Sequence, residues 1–170
     1  MTAITPNETT IRRALGDRGA AGIAELHRRV YVPEYGMNDE FVRRVAAGAE
    51  DAVAAGWPER SGAVWLVGGE GQAELQGSLA LTAEDGGVGR LRWFALGRDL
   101  RGRGLGRVLV GELLATAREQ GFTRLELETF SALRAAAHIY RSVGFELTWE
   151  RERTDWGPPI VYQHYALELR

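Results

Sequence analysis

Apolar residues recur at spacings of three and four between residues 23 and 31, where Ile23, Leu26, Val30 and Tyr31 share one helical face. The breaker Pro33 ends that run, and a loop carrying Glu34, Tyr35 and Gly36 leads into a second helix. Asn38 or Asp39 caps it, its apolar side runs through Phe41, Val42, Val45, Ala49 and Ala52, and it stops near Gly56 and Pro58. Upstream, a β-branched cluster around Ile11 predicts a short strand from Thr9 to Leu15. Downstream the period shortens. Ala63 to Val67 and Leu75 to Leu81 read as strands separated by a turn around Gly68, Gly69 and Gly71. Beyond Gly86 and Gly87, Arg90 to Leu96 completes an antiparallel meander.

The basic glycine-rich segment Arg101 to Arg107 then enters a helix with the apolar face Leu105, Val108, Leu109, Leu113, Leu114 and Ala117, ending at Gln120 and Gly121. In the strand Thr123 to Phe130, Leu125, Leu127 and Thr129 face one side and Arg124, Glu126 and Glu128 the other. Ser131 can cap the next helix, Ala132 to Ser142, which stops at Gly144. Two strands close the chain, Phe145 to Arg151 and Ile160 to Leu169, around Gly157, Pro158 and Pro159. The order β-α-α-β-β-β-α-β-α-β-β, uninterrupted by linker or repeat, predicts one mixed α/β domain over residues 1–170.

Composition narrows the chemistry. All 21 cations among the 170 residues are Arg, and there is no Cys. Thiolate nucleophiles, disulfides and Cys-held metals are therefore excluded, as are Schiff bases on Lys. Three scattered His suggest no metal site. A net charge of -2 argues against nucleic acid and acidic membrane as partners. No apolar stretch is long enough to span a bilayer and no secretory signal opens the chain, so a cytoplasmic location is expected.

Alternate glycines at Gly102, Gly104 and Gly106, before an apolar helix and beside Arg101, Arg103 and Arg107, let backbone N–H groups converge on a phosphate. A dinucleotide fingerprint would need glycine at Arg107, and a phosphate loop needs Lys. Arg, two residues, Gly, one residue, Gly instead resembles the acetyl-coenzyme A signature of the GNAT N-acetyltransferases. A second match lies in the later helix, where Tyr140 stands four residues before Gly144 and Phe145. The element order is similar to theirs over nearly the whole chain. A narrower likeness, at Glu34 to Gly36 and His138 to Tyr140, is to the acetyltransferase domain fused to MarR-type regulators, here without room for a DNA-binding half.

That resemblance implies a GNAT fold, with a mostly antiparallel sheet of about seven strands between flanking helices. It implies acetyl-coenzyme A as cosubstrate, no metal, and direct transfer to a primary amine on a small molecule or peptide. Backbone groups of Phe94, Ala95 and Leu96 would pair with the pantetheine arm, the Leu96 N–H would polarise the thioester, and Gly102 to Arg107, through Leu105, would hold the pyrophosphate. Tyr140 would protonate the departing thiolate. Arg92 stands where relatives often carry a carboxylate, so Glu34 and Glu128 become the candidate bases, with Glu34 and Tyr35 also at the acceptor wall. Ser131 replaces a common cofactor-binding Asn. Apolar residues on both faces of the last strands suggest a homodimer. A non-catalytic acyl-coenzyme A binding or sensing module is the alternative.

Overall fold

In the computed structural model, which describes residues 3–4, 9–69 and 73–170, the chain opens with β1 (Ala3–Ile4) and β2 (Thr9–Arg12). Helices α1 (Gly19–Tyr35) and α2 (Asp39–Ala54) precede the meander β3 (Ala63–Gly68), β4 (Leu75–Glu84) and β5 (Val88–Leu96). Then come α3 (Leu105–Glu119), β6 (Arg124–Phe130), α4 (Arg134–Ser142), β7 (Glu146–Arg153) and β8 (Ile160–Glu168). One sheet runs in the order β1-β2-β3-β4-β5-β6-β8-β7. This is the mixed α/β, mostly antiparallel arrangement expected, with seven strands of four or more residues and the two-residue β1 added at one edge. Of the expected turn glycines, Gly71 lies outside the described residues. No helix among the described residues is long and apolar enough to cross a membrane.

Helices cover both faces, so β3 is apolar on both. Val64 and Leu66 pack under α1 and α2 with Ile23, Leu26, Phe41 and Val45. Ala63, Trp65 and Val67 pack under α3 with Leu109, Val110 and Leu113. Val110 takes the core place expected of Val108, which is exposed. Val110 packs into the cluster that α3 forms with Trp65, Leu79 and Leu81 of the sheet.

Three local expectations are corrected. Pro33 does not end α1, because one missing N–H near a helix end removes a single bond. Gly36, in the left-handed region at φ +70°, ends it instead, its N–H donating to the Val32 carbonyl at 3.0 Å. Glu34 and Tyr35 therefore belong to the last helical turn, not a loop. Ser131 does not cap α4: its N–H donates to the Val161 carbonyl, and the helix begins at Arg134. Apolar residues on both faces of β8 follow from its place between β6 and β7, where Tyr162 to Ala166 are buried within the one chain.

Two irregularities of the sheet lie at β5. Ser78 opposes Ala95 while Ala80 opposes Arg92, so Leu79 faces a two-residue bulge at Trp93 and Phe94. Trp93 takes φ +49°, and Ser78 Oγ holds its carbonyl at 2.6 Å. The bulge resets the alternation: Leu91 packs under α3, whereas Trp93 and Ala95 pack with α1 and α2. Meanwhile β5 pairs with β6 in parallel only from Val88 to Arg90, opposite Arg124 to Glu126, and beyond Arg90 the strands part.

Candidate active site

The parting of β5 from β6 opens a cleft through the sheet, flanked by two cavities that share Tyr31, Phe94 and Leu133. One, of 320 Å³, is mainly apolar and runs from Phe94–Leu96 past Tyr35 and Arg101 to the start of α4 at Leu133–Ala136. The other, of 440 Å³, holds His27, Arg44, Arg90, Arg92, Glu128 and Tyr140.

On the apolar side, the exposed strand edge is already partly engaged. The Phe94 carbonyl accepts the Tyr31 hydroxyl at 2.9 Å, and the Leu96 carbonyl accepts Arg101 Nε at 2.9 Å. In an extended strand the N–H and C=O of one residue point the same way, so the Phe94 and Leu96 N–H groups also turn from β4 toward the cleft. Ala95, opposite Ser78, turns its backbone groups to β4 instead. Its place in the cleft wall is thus not that of a hydrogen-bonding partner for an arm.

The glycine segment lies just beyond. Gly102 and Gly104 have φ of +74° and +77°, and where a side chain would begin on either there is open space. Gly104 is the N-cap of α3, so the first N–H groups of that helix, at Leu105, Gly106 and Arg107, lack carbonyl partners within it. The Leu105 side chain is itself buried in the core. Gly106 lets α3 close on the cleft, since a methyl there would come within 3.0 Å of Ile139 and 3.3 Å of Phe94. Arg107 reaches Ser142 Oγ at 3.1 Å, and Arg103 has no partner among the described residues. This cradle, with its converging N–H groups and positive charge, fits a pyrophosphate. Ser131 is exposed and lines neither cavity.

Glu34 belongs to this side and not to the polar one. Both its oxygens are held by Arg101, at 2.6 and 2.8 Å, and Arg101 keeps its carboxyl below the usual carboxylate range. Tyr35 lines the apolar cavity, edge-on to Phe130 at 5.4 Å. Neither of these two residues lines the polar cavity.

The polar cavity gathers the groups able to move protons. Tyr140 is buried against Phe94, Phe145 and Tyr165, and its hydroxyl has no hydrogen-bond partner among the described residues. Burial first, then Tyr31 and Tyr165, raises its pKa, so the phenol stays protonated. Glu128 accepts the Tyr162 hydroxyl and lies 3.5 Å from Arg90 Nη1, with much of its carboxylate still open to the cavity. His27 is buried at the cavity wall, and burial lowers its pKa to about 4. Because a carbonyl only accepts, His27 Nδ1 must carry the hydrogen shared with the Ile23 oxygen at 2.8 Å, which leaves Nε2 as a lone-pair acceptor. Among the described residues no His, Asp and Glu side chains cluster as a metal site.

Sequence reasoning brings Tyr140, Glu128, Phe94 and Leu96 to one cleft but misses His27, Tyr31, Arg44 and Tyr162 as its walls. His27 and Tyr31 do sit four apart on α1, which is the available signal; it reads equally as a core stripe.

The family model described as Acetyltransferase (GNAT) family matches residues 23–145. An uncharacterized N-acetyltransferase of Escherichia coli (strain K12), YjgM, is 32% identical over 148 residues, which cover 86% of this chain and 87% of that protein. In fold, the chain is similar to yncA, a putative acetyltransferase from Salmonella typhimurium solved with acetyl-CoA, at TM-score 0.68 and 21% identity over 95% of this chain and 94% of that one. It is likewise similar to a phosphinothricin acetyltransferase from Sinorhizobium meliloti in complex with AcCoA, at TM-score 0.68 and 19% identity over 95% and 88%.

Proposed function

The chain belongs to the acetyltransferase (GNAT) family and is an acyltransferase; from that premise we propose that it carries an acetyl group from acetyl-coenzyme A to a primary amine by direct attack. The observation that carries this reading is the parting of β5 from β6, which leaves strand-edge N–H groups between an anion cradle and a cavity holding a carboxylate and a phenol. The relatives solved with acetyl-coenzyme A support the choice of donor.

Acetyl-coenzyme A supplies an activated thioester when bound. The cradle from Gly102 to Arg107 holds the pyrophosphate, and the apolar cavity takes the arm beside Phe94 and Leu96. The Leu96 N–H donates to the oxygen that gains charge during attack, a contact worth about 3 kcal/mol at such sites. On the polar side, Glu128 takes a proton from the acceptor's ammonium, directly or through water, so that the neutral amine attacks, and Tyr162 orients that carboxylate. Tyr140 gives its proton to the departing sulfur. The amine attacks the thioester directly, in agreement with the absence of Cys from the chain. Glu34 serves instead to position Arg101 at the mouth of the arm channel. The narrower likeness to the domain fused to MarR-type regulators rests on Glu34–Gly36, His138–Tyr140 and the long final strands.

Calorimetry with acetyl-coenzyme A, followed by a broad amine screen that measures free thiol, tests the proposal. Binding with amine-dependent thiol release is expected. Binding without turnover on any amine would leave only a sensing module, and absence of binding would remove both.

A further inference from the structure

Among the described residues, the guanidinium groups lining the polar cavity outnumber its carboxylates. Of its three guanidinium groups, Arg90 is committed: Glu84 holds it by two hydrogen bonds, at 2.5 and 3.2 Å, and Glu126 and Glu128 lie at 3.6 and 3.5 Å. Arg92 and Arg44 have no carboxylate partner among the described residues. Arg92 is half-buried, stacked over the Trp93 ring at 4.4 Å. It occupies room kept by Gly48 of α2, where a methyl group would come within 2.8 Å of its Nη2. Arg44 lies on the same helix but is exposed, its guanidinium 5.9 Å from the Trp156 ring, and the buried Trp156 N–H has no acceptor among the described residues. Burying a guanidinium without a counter-charge is costly. A surface solubility role does not account for Arg92, because the bulge at Trp93 and the gap at Gly48 bring it to the cavity wall.

We propose that the acceptor is an amine that also carries a carboxylate, an amino acid in the broad sense, and that Arg92, assisted by Arg44, binds the carboxylate while Glu128 faces the ammonium. The assignment rests on the acetyl-transfer reading for the cavity's purpose, and it names the acceptor's chemical class. Glu128, which keeps much of its carboxylate open to the cavity beside Arg90 and Tyr162, and two guanidinium groups with no carboxylate partner among the described residues are together the complement of a zwitterion. A peptide amine or a simple alkylamine would leave Arg92 unpaired within the closed complex, whereas a carboxylate gives it a charge-assisted, forked partner. The departure visible in the sequence, Arg where relatives often carry a carboxylate, becomes a specificity feature.

The test uses the full chain with coenzyme A, which fills the donor side without turnover. Trp93 and Trp156 line the cavity, so their fluorescence reports titration with α- and ω-amino acids, each matched to its carboxamide. The acid of a matched pair is expected to bind at least about tenfold more tightly than the amide. In Arg92→Gln the two should converge, and Arg92→Lys should keep part of the difference. Equal binding of acid and amide to the unaltered protein, no binding of either series, or full discrimination in a folded Arg92→Gln would each overturn the proposal. The unaltered protein decides the matter even if the variant fails to fold. Acid-selective binding without thiol release from acetyl-coenzyme A would refute the transfer reading and leave the anion site standing. Turnover of amides as fast as acids would do the reverse.

Discussion

Replacing Tyr140 by Phe separates a proton donor from a packing residue. The ring lies against Phe94, Phe145 and Tyr165, with centroids 6.3, 5.8 and 6.2 Å away, and Phe keeps all of these contacts. Only the hydroxyl is lost. It has no partner among the described residues, so its removal strands no other polar group there, and a desolvated hydroxyl disappears with it. Stability should therefore stay level or rise by up to about 1 kcal/mol, which in a domain of this size is about 2–4 °C in Tm. Turnover should fall by about 100-fold or more, since a positioned general acid contributes roughly 10²–10⁴. In barrier terms that is about 3 kcal/mol, larger than any stability change and opposite in direction. The assay is steady-state thiol release with the best amine from the screen, alongside a melt and calorimetry for acetyl-coenzyme A. Unchanged kcat, with the melt as expected, would show that the hydroxyl takes no part in the chemistry. A Tm loss of several degrees would show that the hydroxyl has a partner the packing argument lacks.

Charge and burial set two further outcomes. Glu34→Gln should raise the KM for acetyl-coenzyme A by a few fold while kcat changes less than about fivefold, because this half-exposed pair with Arg101 contributes under about 1 kcal/mol; a 100-fold drop in kcat would restore Glu34 as the base. The folded-state pKa of His27, lowered to about 4, means that the fold favours neutral imidazole. Its contribution is fully present above about pH 6.5 and is lost as the pH falls toward 4, on the order of 2–3 kcal/mol by pH 4.5. Urea midpoints at pH 7 and pH 4.5 should thus differ more in the unaltered protein than in His27→Gln, and equal differences would refute the assignment.

Much of this arrangement is visible in local patterns. Gly102 and Gly104 before an apolar helix signal a turn of the kind that can hold an anion, because glycine takes φ near +75° without strain and helix N-termini attract negative charge. Alternation along Arg124 to Phe130 puts Glu128 opposite Leu127, on the face away from α3. The bulge at Trp93 is invisible in the same way of reading. It adds one residue with a positive φ that no sequence pattern flags, and it exchanges the faces of everything after it. The end of α1 is ambiguous for a related reason: Pro33 and Gly36 both signal a stop, and which one prevails depends on whether the glycine's left-handed cap can form.

The sequence by itself determines the order of the helices and of the longer strands, since each follows from spacing within a few turns of chain, and two short motifs carry the resemblance to the family. It also excludes covalent transfer through Cys. Tertiary structure alone decides the partners: that Glu34 spends its charge on Arg101, 67 residues away, that Tyr162 holds Glu128, and that Arg92 faces the cavity with no carboxylate at ion-pair distance among the described residues. Those pairings depend on the distances between elements brought together by burial, which no local spacing contains.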